Sequence, residues 1–283
     1  MSINNVGIVG AGIMGNGIAQ VCAAAGLNVV MVDVADAAVT RGLDTVASSL
    51  DRLVKKEKLS TTDKNAVLAR IKGSTHYSDL AATDLVIEAA TENEAVKLRI
   101  LKEIDVIVPA GSIIATNTSS ISITKLAAAT QRSDRFIGTH FFNPVPVMAL
   151  VEVIRGLQTS DETLVRVETF VKAIGKTPIK AKNSPGFVVN RILCPLINEA
   201  VFALQEGLAS AEDIDAGMKL GANHPIGPLA LADLVGLDTL LAVMQVFYHG
   251  FNDPKYRPAP LLQEMVDAGY LGRKSGVGFF QYQ

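Results

Sequence analysis

Residues 10–15 read GAGIMG, and this short stretch decides the fold of the first half of the chain. The apolar run NVGIV (5–9) precedes it, and a helix-like segment follows it. Between a strand and a helix, Gly10 permits a tight turn, Gly12 lets a pyrophosphate approach the backbone, and Gly15 allows the helix to pack closely on the strand. The alternative interpretation is a tight turn that binds nothing.

The next predicted strand, NVVMVD (28–33), favours the dinucleotide interpretation, because it ends on an acidic residue. Asp33 stands near the ~20-residue distance at which such a carboxylate accepts hydrogen bonds from the ribose hydroxyls of adenosine. The same charge would repel a 2′-phosphate, and the next arginine is only Arg41. The free N–H groups at the start of the helix suit the phosphates. The pattern therefore predicts an NAD site.

Composition limits the class of protein before any further motif is considered. The chain has 283 residues, of which 49% are hydrophobic and 19% charged, as in an ordinary globular protein. Its formal charge of −2 gives no electrostatic reason to expect binding to nucleic acid or to an anionic membrane. The two cysteines have no metal-like or redox spacing, so we expect no metal site and a cytoplasmic location.

The pattern along the chain predicts two domains. Apolar runs without alternation, typical of parallel strands buried on both faces, are separated by amphipathic segments long enough for crossover helices. These runs are NVGIV (5–9), NVVMVD (28–33), DLVIEAA (84–90), SIIATN (112–117), RFIGTHF (135–141), ALVEVIRG (149–156) and TPIKAK (177–182). Residues 1–184 should form an α/β, Rossmann-type, doubly wound and mostly parallel sheet, and residues 185–283 an all-helical domain.

The helical domain should begin with a long helix. Ser184 and Pro185 suit the N-cap and first helical position of a helix that runs to about Gln205. Asn190 would then lie on an apolar stripe of that helix, where its amide needs hydrogen-bond partners. The local backbone could supply them, or the amide could contact a ligand. Downstream, Ser210 begins a capping box for another helix.

His140 and Glu152 stand in the otherwise apolar stretch GTHFFNPVPVMALVEV (138–153). His140 should emerge near the carboxyl end of its strand, the edge where ligands bind in open α/β sheets. A returning strand could bring Glu152 beside it, where a buried carboxylate would orient the imidazole and favour its charged form. Such a pair is a general acid/base. The alternative is a structural histidine and an unrelated glutamate.

Two other groups of polar residues are candidates for ligand contacts. Asn117 and Ser119 follow the strand SIIAT, where they can face a ligand, although Ser120 or Ser122 in the same loop can cap the next helix. Ser49, Arg52 and Lys56 share one face of a predicted helix over 36–57. That positive stripe suits phosphates, but on the residues alone a solvated helix face is the better explanation.

The motifs taken together resemble the 3-hydroxyacyl-CoA dehydrogenase family over essentially the whole chain. The motifs that carry the resemblance are GAGIMGNGIAQ, IEAATEN, ATNTSS, HFFNPVPVM, NSPGFVVNR and LGRKSGVGFF. The resemblance implies a catalytic pair of His140 and Glu152, with Ser119 and Asn190 holding the substrate. It implies coenzyme A contacts at Ser49 and Lys56, to which the spacing adds Arg52. It implies cofactor contacts at Gly10, Gly12, Ile13, Met14, Gly15, Asp33, Glu92, Lys97, Asn117, Ser119, Asn143 and Lys274.

Glu92 and Lys97 would be surface helix charges on the sequence alone, so their role is implied only by the resemblance. The resemblance also implies a homodimer through the helical domain, for which apolar residues in 229–247 are available.

The resulting hypothesis is an NAD-dependent enzyme that interconverts a short-chain (S)-3-hydroxyacyl-CoA, such as (S)-3-hydroxybutyryl-CoA, and a 3-oxoacyl-CoA, such as acetoacetyl-CoA. Two alternatives remain at this point. One is a 3-hydroxy acid dehydrogenase of the same superfamily that acts on a free acid, and the other is a non-catalytic protein that binds NAD.

Overall fold

A computed structural model describes residues 3–282, which contain eight β-strands and eleven α-helices. The strands are β1 (Asn5–Val9), β2 (Asn28–Val32), β3 (Ile71–Ser74), β4 (Leu85–Glu88), β5 (Ile113–Thr116), β6 (Phe136–Phe141), β7 (Leu150–Arg155) and β8 (Thr177–Lys182). The helices are α1 (Ile13–Ala24), α2 (Asp36–Lys55), α3 (Thr61–Ala69), α4 (Glu94–Asp105), α5 (Ile123–Ala127), α6 (Asp161–Ala173), α7 (Val189–Gln205), α8 (Ala211–Gly221), α9 (Pro228–Val235), α10 (Leu237–Phe251) and α11 (Pro260–Asp267).

All eight strands form one sheet in the order β3-β2-β1-β4-β5-β6-β7-β8. Every neighbouring pair is parallel except β6 and β7, which are antiparallel. The chain order reverses between β1 and β4, so ligands should bind at the carboxyl ends of those strands. Every residue of β4, β5 and β6 is buried, because helices cover both faces. The predicted fold class, a mostly parallel Rossmann-type sheet followed by helices, is confirmed.

Strand β3 was not expected from the sequence. Its four residues, IKGS, bury only one apolar side chain, that of Ile71, and they include a glycine. A short strand at the edge of a sheet has only one neighbour, so it carries little of the apolar pattern by which buried strands are recognised.

The turn between β1 and α1 leaves no room for side chains at two of its glycines. Gly10 has a φ of +104°, and an added Cβ would lie 2.6 Å from the Cα of Ala90. A Cβ on Gly15 would overlap the carbonyl oxygen of Gly10. At Gly12, by contrast, an added Cβ would meet no atom within 4 Å. Gly10 and Gly15 therefore fix α1 against the sheet, and Gly12 leaves open space in front of the helix.

The described chain separates into two compact units between Ser184 and Pro185. The helix predicted to begin at Pro185 begins instead at Val189, so that prediction was wrong. Gly186 and Phe187 both have left-handed backbone conformations, with φ of +73° and +51°. Because an α-helix requires negative φ, these residues form a turn, and the helix can start only after them.

The helical unit has its own core, which explains the apolar residues of its helices. Its buried apolar residues are Cys194, Ile197, Val201, Leu229, Ala232, Leu237, Leu240, Leu241, Met244, Phe247, Tyr256, Ala259 and Leu262. Ser210 caps α8 by accepting a hydrogen bond from the backbone N–H of Asp213, as predicted. Among the described residues no single helix is long and apolar enough to cross a membrane; α9 and α10 reach that length only as a pair bent by 98°.

A buried carboxylate holds the last residues of this unit in place. Asp233 is 1% exposed, and its two oxygens accept hydrogen bonds from the backbone N–H groups of Phe279 and Phe280 at 2.9 and 3.0 Å. The hydroxyl of Tyr282 donates a third bond at 2.9 Å. Burial and this hydrogen bond raise the pKa of Tyr282 to about 12. Asp233 therefore connects α9 to the motif LGRKSGVGFF.

We expect Asp233→Asn to lower the free energy of unfolding by roughly 2–4 kcal/mol, because the amide NH₂ cannot accept hydrogen bonds and leaves buried donors unpaired. Urea denaturation would measure the loss, and Glu264→Gln, at an exposed position of α11, is the matched control. The pKa of Tyr282 should fall in the same variant, as followed by its ultraviolet absorbance. An unchanged unfolding midpoint would show that the Asp233 contacts contribute nothing to stability.

Candidate functional site

The antiparallel register of β6 and β7 places His140 directly opposite Glu152. The His140 Nδ1 and the Glu152 Oε2 are 2.7 Å apart. Glu152 is completely buried and His140 is 7% exposed. An ionised carboxylate can only accept hydrogen bonds, so an ionised Glu152 requires the hydrogen on Nδ1 and leaves Nε2 as the nitrogen that can exchange a proton. The geometry therefore brings together the two residues that the sequence singled out.

The loop after β5 is held by the carboxylate of Glu92. One of its oxygens, Oε1, lies within hydrogen-bond distance of three hydroxyls and two backbone N–H groups. The Ser119 hydroxyl is 3.0 Å away. Glu92 is exposed but precedes α4, so its expected placement as a helix charge was wrong. Ser122, and not Ser119, caps the following helix α5. The cap expected at Ser120 or Ser122 is thus provided by Ser122.

Asn117 and Asn143 frame the residues between β6 and β7. The Asn117 side-chain oxygen accepts a hydrogen bond from the backbone N–H of Phe141 at 2.9 Å, which ties the end of β5 to the end of β6. Asn143 begins the turn NPVP, and its peptide bond to Pro144 is cis. The ring of Phe142 lies 4.5 Å from that of His140, measured between centroids. Both asparagines thus lie near the carboxyl end of β6.

Lys97 is buried, and its prediction as a surface helix charge from sequence alone was wrong. Its ammonium is 2.6 Å from the Glu88 Oε2, and the side chains are 1% and 0% exposed. The hydroxyl of Thr116 donates to the same carboxylate oxygen at 2.8 Å, and the backbone N–H of Ala90 donates to Oε1. A buried carboxylate at the end of β4 requires such partners. Glu88 was not selected from the sequence, although a glutamate ending the apolar strand LVIE was a signal.

The residues around the glycine turn fit a bound dinucleotide. No side chain caps the first turn of α1, so its backbone N–H groups can donate hydrogen bonds to phosphate oxygens. The space in front of Gly12 is open. Asp33 lies beside this turn, where its Oδ2 accepts a hydrogen bond from the N–H of Ala11 at 2.7 Å. Each carboxylate oxygen can accept a second bond, so ribose hydroxyls can still be accommodated. Ile13, at the start of the helix, is 72% exposed.

The stripe of Ser49, Arg52 and Lys56 lines a groove of about 400 Å³. The other wall of the groove is formed by α1 and by residues 143–147. Arg52 and Lys56 are exposed, and among the described residues neither forms an ion pair with an acidic side chain. A concave surface with unpaired cations suits a ligand better than a helix face that is only solvated.

A buried lysine that the sequence did not point out supports the wall of this groove. Lys176 donates hydrogen bonds to the carbonyl oxygens of Val145 and Met148, at 2.6 and 2.8 Å. Burial lowers the pKa of its ammonium. The contacts tie residues 143–148 to the segment before β8, and only the three-dimensional structure reveals them.

Two of the predicted site residues belong to the helical unit. Asn190 is the second residue of α7, half-buried, and its amide makes no hydrogen bond within the part of that unit that the structure describes. Lys274 forms an ion pair with Asp238, at 2.6 Å from its Oδ2. Their roles stay predictions. Among residues 3–282 there is no group of three or more His, Cys, Asp or Glu that could hold a metal ion.

Comparisons with known proteins match nearly the whole chain to one family. Residues 5–184 match the family described as 3-hydroxyacyl-CoA dehydrogenase, NAD binding domain, and residues 186–282 match its C-terminal domain. A 3-hydroxybutyryl-CoA dehydrogenase from Bradyrhizobium diazoefficiens is 51% identical over 281 residues, covering 99% of this chain and 96% of that protein. A probable 3-hydroxybutyryl-CoA dehydrogenase from Bacillus subtilis is 50% identical, covering 100% and 99%.

Among solved structures, the (S)-3-hydroxybutyryl-CoA dehydrogenase PaaH1 from Ralstonia eutropha is 72% identical to this chain. The TM-score is 0.98, and the match covers 100% of both chains.

We predict that Lys97→Met lowers the free energy of unfolding by about 3–5 kcal/mol, because it leaves the Glu88 carboxylate buried without its partner. The double variant Glu88→Gln/Lys97→Met should recover much of this loss, since it removes both charges. Urea denaturation of the two variants would measure the difference. If Lys97→Met unfolds at the midpoint of the unchanged chain, the buried pair does not stabilise the carboxyl edge of the sheet.

Proposed function

This chain belongs to the 3-hydroxyacyl-CoA dehydrogenase family, and we propose on that basis that it interconverts (S)-3-hydroxybutyryl-CoA and acetoacetyl-CoA with NAD as cofactor. The observation that carries this proposal is the buried hydrogen bond between His140 and Glu152 at the carboxyl edge of the sheet. A protein that only bound NAD would not need this pair. The named relatives, which include 3-hydroxybutyryl-CoA dehydrogenases, support the short-chain substrate.

NAD would be held by the turn between β1 and α1. The N–H groups of Ile13 and Met14 would donate hydrogen bonds to the pyrophosphate, and Asp33 would accept them from the ribose of adenosine, which the uncapped start of α1 and the position of Asp33 beside it support. Glu92, Lys97 and the other residues assigned by resemblance remain proposals as cofactor contacts. When bound, this cofactor would supply the hydride chemistry at the reacting carbon. All other steps are carried out by side chains of the chain.

His140 would move the proton. In the direction of oxidation, neutral His140 takes the proton of the substrate's 3-hydroxyl on Nε2 while the hydride leaves carbon 3. In the direction of reduction, the imidazolium returns that proton to the oxygen of the 3-oxo group. Glu152 stabilises the imidazolium because their hydrogen bond at Nδ1 becomes an ion pair when the ring is charged. Proton and hydride thus balance in both directions.

Ser119 would position the reacting oxygen, and Asn190 the acyl region of the substrate. The Ser119 hydroxyl is half-buried and oriented by Glu92, so it is available at a defined place. Asn190 has an amide with no hydrogen bond inside its own described unit, as a ligand contact would require. Both assignments follow the resemblance and extend the chemistry of the histidine pair.

The groove lined by α1 and α2 would receive coenzyme A. Ser49, Arg52 and Lys56 supply one neutral and two cationic groups for its phosphates. A free 3-hydroxy acid has no phosphates to bind there, so the stripe favours a thioester substrate over the free-acid alternative.

A homodimer through the helical unit also remains part of the proposal. The apolar residues of 229–247 support it less than the sequence suggested, because Leu229, Leu237 and Leu240 are buried in the core of their own unit. Leu234 and Val235, which are 52% and 44% exposed, are large apolar side chains of this segment that an interface could cover.

A steady-state assay with acetoacetyl-CoA and NADH tests the proposed function directly. The protein should oxidise NADH only when the thioester is present, and NADPH should be the poorer cofactor because Asp33 repels its 2′-phosphate. Turnover of free acetoacetate without turnover of the thioester would establish the free-acid alternative. Binding of NADH without turnover of either substrate would establish the non-catalytic one.

We expect His140→Gln to reduce turnover by roughly 10²–10⁴-fold, because it removes the group that exchanges the proton. NADH binding, measured by fluorescence titration, should be unchanged. His249→Gln is the matched control, since His249 is an exposed histidine of α10. Nearly full turnover in His140→Gln would refute the assignment of His140 as the proton carrier.

Arg52→Ala and Lys56→Ala should each raise the KM for acetoacetyl-CoA several-fold with little change in kcat, because an exposed charge-assisted contact contributes about 1 kcal/mol to binding in both ground and transition states. The effect should decrease at high salt. Lys55→Ala is the control, because Lys55 is an adjacent exposed cation that does not line the groove. An equal loss with a thioester that lacks the nucleotide of coenzyme A would restore the solvated-face interpretation.

A further inference from the structure

Gln20 presents a buried amide to the groove between α1 and α2. The residue lines the groove and is only 4% exposed. Among residues 3–282, no group forms a hydrogen bond with its side chain. Its amide atoms keep some accessible surface, so they are not sealed off from water. Water in the groove can satisfy them. A ligand that displaces this water must replace its hydrogen bonds, or binding is weakened.

Two neighbouring polar side chains of the groove already form hydrogen bonds within the protein. The amide of Asn16, one turn earlier on α1, donates to the carbonyl oxygen of Ala11. The hydroxyl of Thr45 on α2 donates to the carbonyl oxygen of Arg41 at 2.7 Å. The exposed Asn143 also lines the groove, but among the described residues Gln20 is the buried amide there whose donors and acceptor both remain for a ligand.

Different parts of the groove carry different groups. Ile13 and Asn143, which the resemblance assigns to the cofactor, lie at the end near the start of α1. Arg52 and Lys56 supply the positive charge on α2. Gln20 lies about 10 Å along α1 from Ile13, at 1.5 Å per residue. The lining of the groove is largely apolar and includes Val147, which is 75% exposed.

We propose that Gln20 hydrogen-bonds an amide of the pantetheine arm of the acyl-CoA substrate. The inference rests on the proposed function, because it requires the thioester carbon near the cofactor and the phosphates near Arg52 and Lys56. The segment joining those two ends of coenzyme A contains two amides and a dimethyl-substituted carbon. A carboxamide both donates and accepts, so it can pair with an amide in either orientation. The apolar lining matches the dimethyl group.

The test compares Gln20→Leu with the unchanged protein on three substrates: acetoacetyl-CoA, acetoacetyl-pantetheine and the S-ethyl thioester of acetoacetate. The KM for the first two should rise roughly fivefold to tenfold with kcat unchanged, because one hydrogen bond common to ground and transition states is lost. The S-ethyl thioester, which has no amide, should be unaffected. Lys56→Ala should raise the KM for acetoacetyl-CoA alone, since pantetheine has no nucleotide phosphates.

Calorimetric titration with free coenzyme A gives a readout independent of catalysis, and its affinity for Gln20→Leu should fall by the same factor. If Gln20→Leu does not fold, Gln20→Asn replaces it, because its amide stands on a side chain shorter by one methylene. The affinity of Gln20→Asn for coenzyme A should also fall. An equal loss on the S-ethyl thioester, or unchanged affinity for coenzyme A, would overturn the inference. Failure of the proposed function is distinguishable, because the unchanged protein would then neither reduce acetoacetyl-CoA nor bind coenzyme A.

Discussion

The close approach of α1 to the sheet is the constraint on which the rest of the first unit depends. A Cβ on Gly15 would overlap the Gly10 carbonyl, so only glycine allows this distance. Two residues later, an added Cβ on Gly17 would lie 2.9 Å from the Cβ of Val145. The helix is therefore seated both on the sheet and against the turn that follows His140. Its amino terminus faces the space proposed for NAD, and Gln20 on the next turns faces the groove proposed for coenzyme A.

Buried charge is the second organising feature, because each buried carboxylate needs a specific partner. Glu88 at the end of β4 has Lys97 and Thr116, and Glu152 on β7 has His140. The two pairs differ in what they can do. The Glu88 pair, enclosed with Thr116, is a fixed support. An imidazole can gain or lose a proton near neutral pH, so the Glu152 pair can take part in chemistry.

Much of this arrangement could be predicted from the sequence, because it follows from local patterns. The glycine spacing and Asp33 identified the dinucleotide turn, and the position of His140 at a strand end identified its edge of the sheet. The burial of charged side chains was harder to predict. Lys97 was read as a surface charge, yet it shares the buried face of α4 with Ile100, Leu101 and Ile104. A lysine on an apolar face was the available signal, and the missing information was the carboxylate of a different element.

Backbone conformation and long-range contacts account for the other differences. The start of α7 was placed too early because Ser184 and Pro185 form a good local signal for a helix. The left-handed backbone at Gly186 and Phe187 overrides that signal. The contacts of Lys176 and Glu92 join segments that are distant in sequence, so no local pattern reveals them.

The register of β6 and β7 has a consequence for how such a site can diverge. His140 and Glu152 are aligned by the hydrogen-bond ladder of two adjacent strands, each of which also pairs with a further strand, so their register does not depend on the connecting residues alone. The connection over 142–149 can therefore change in length and composition while the pair keeps its geometry. Because residues 143–147 form a wall of the groove proposed for coenzyme A, altering this hairpin connection can change how the coenzyme A arm is held. Substrate binding and proton transfer can thus change independently, because they depend on different parts of one hairpin.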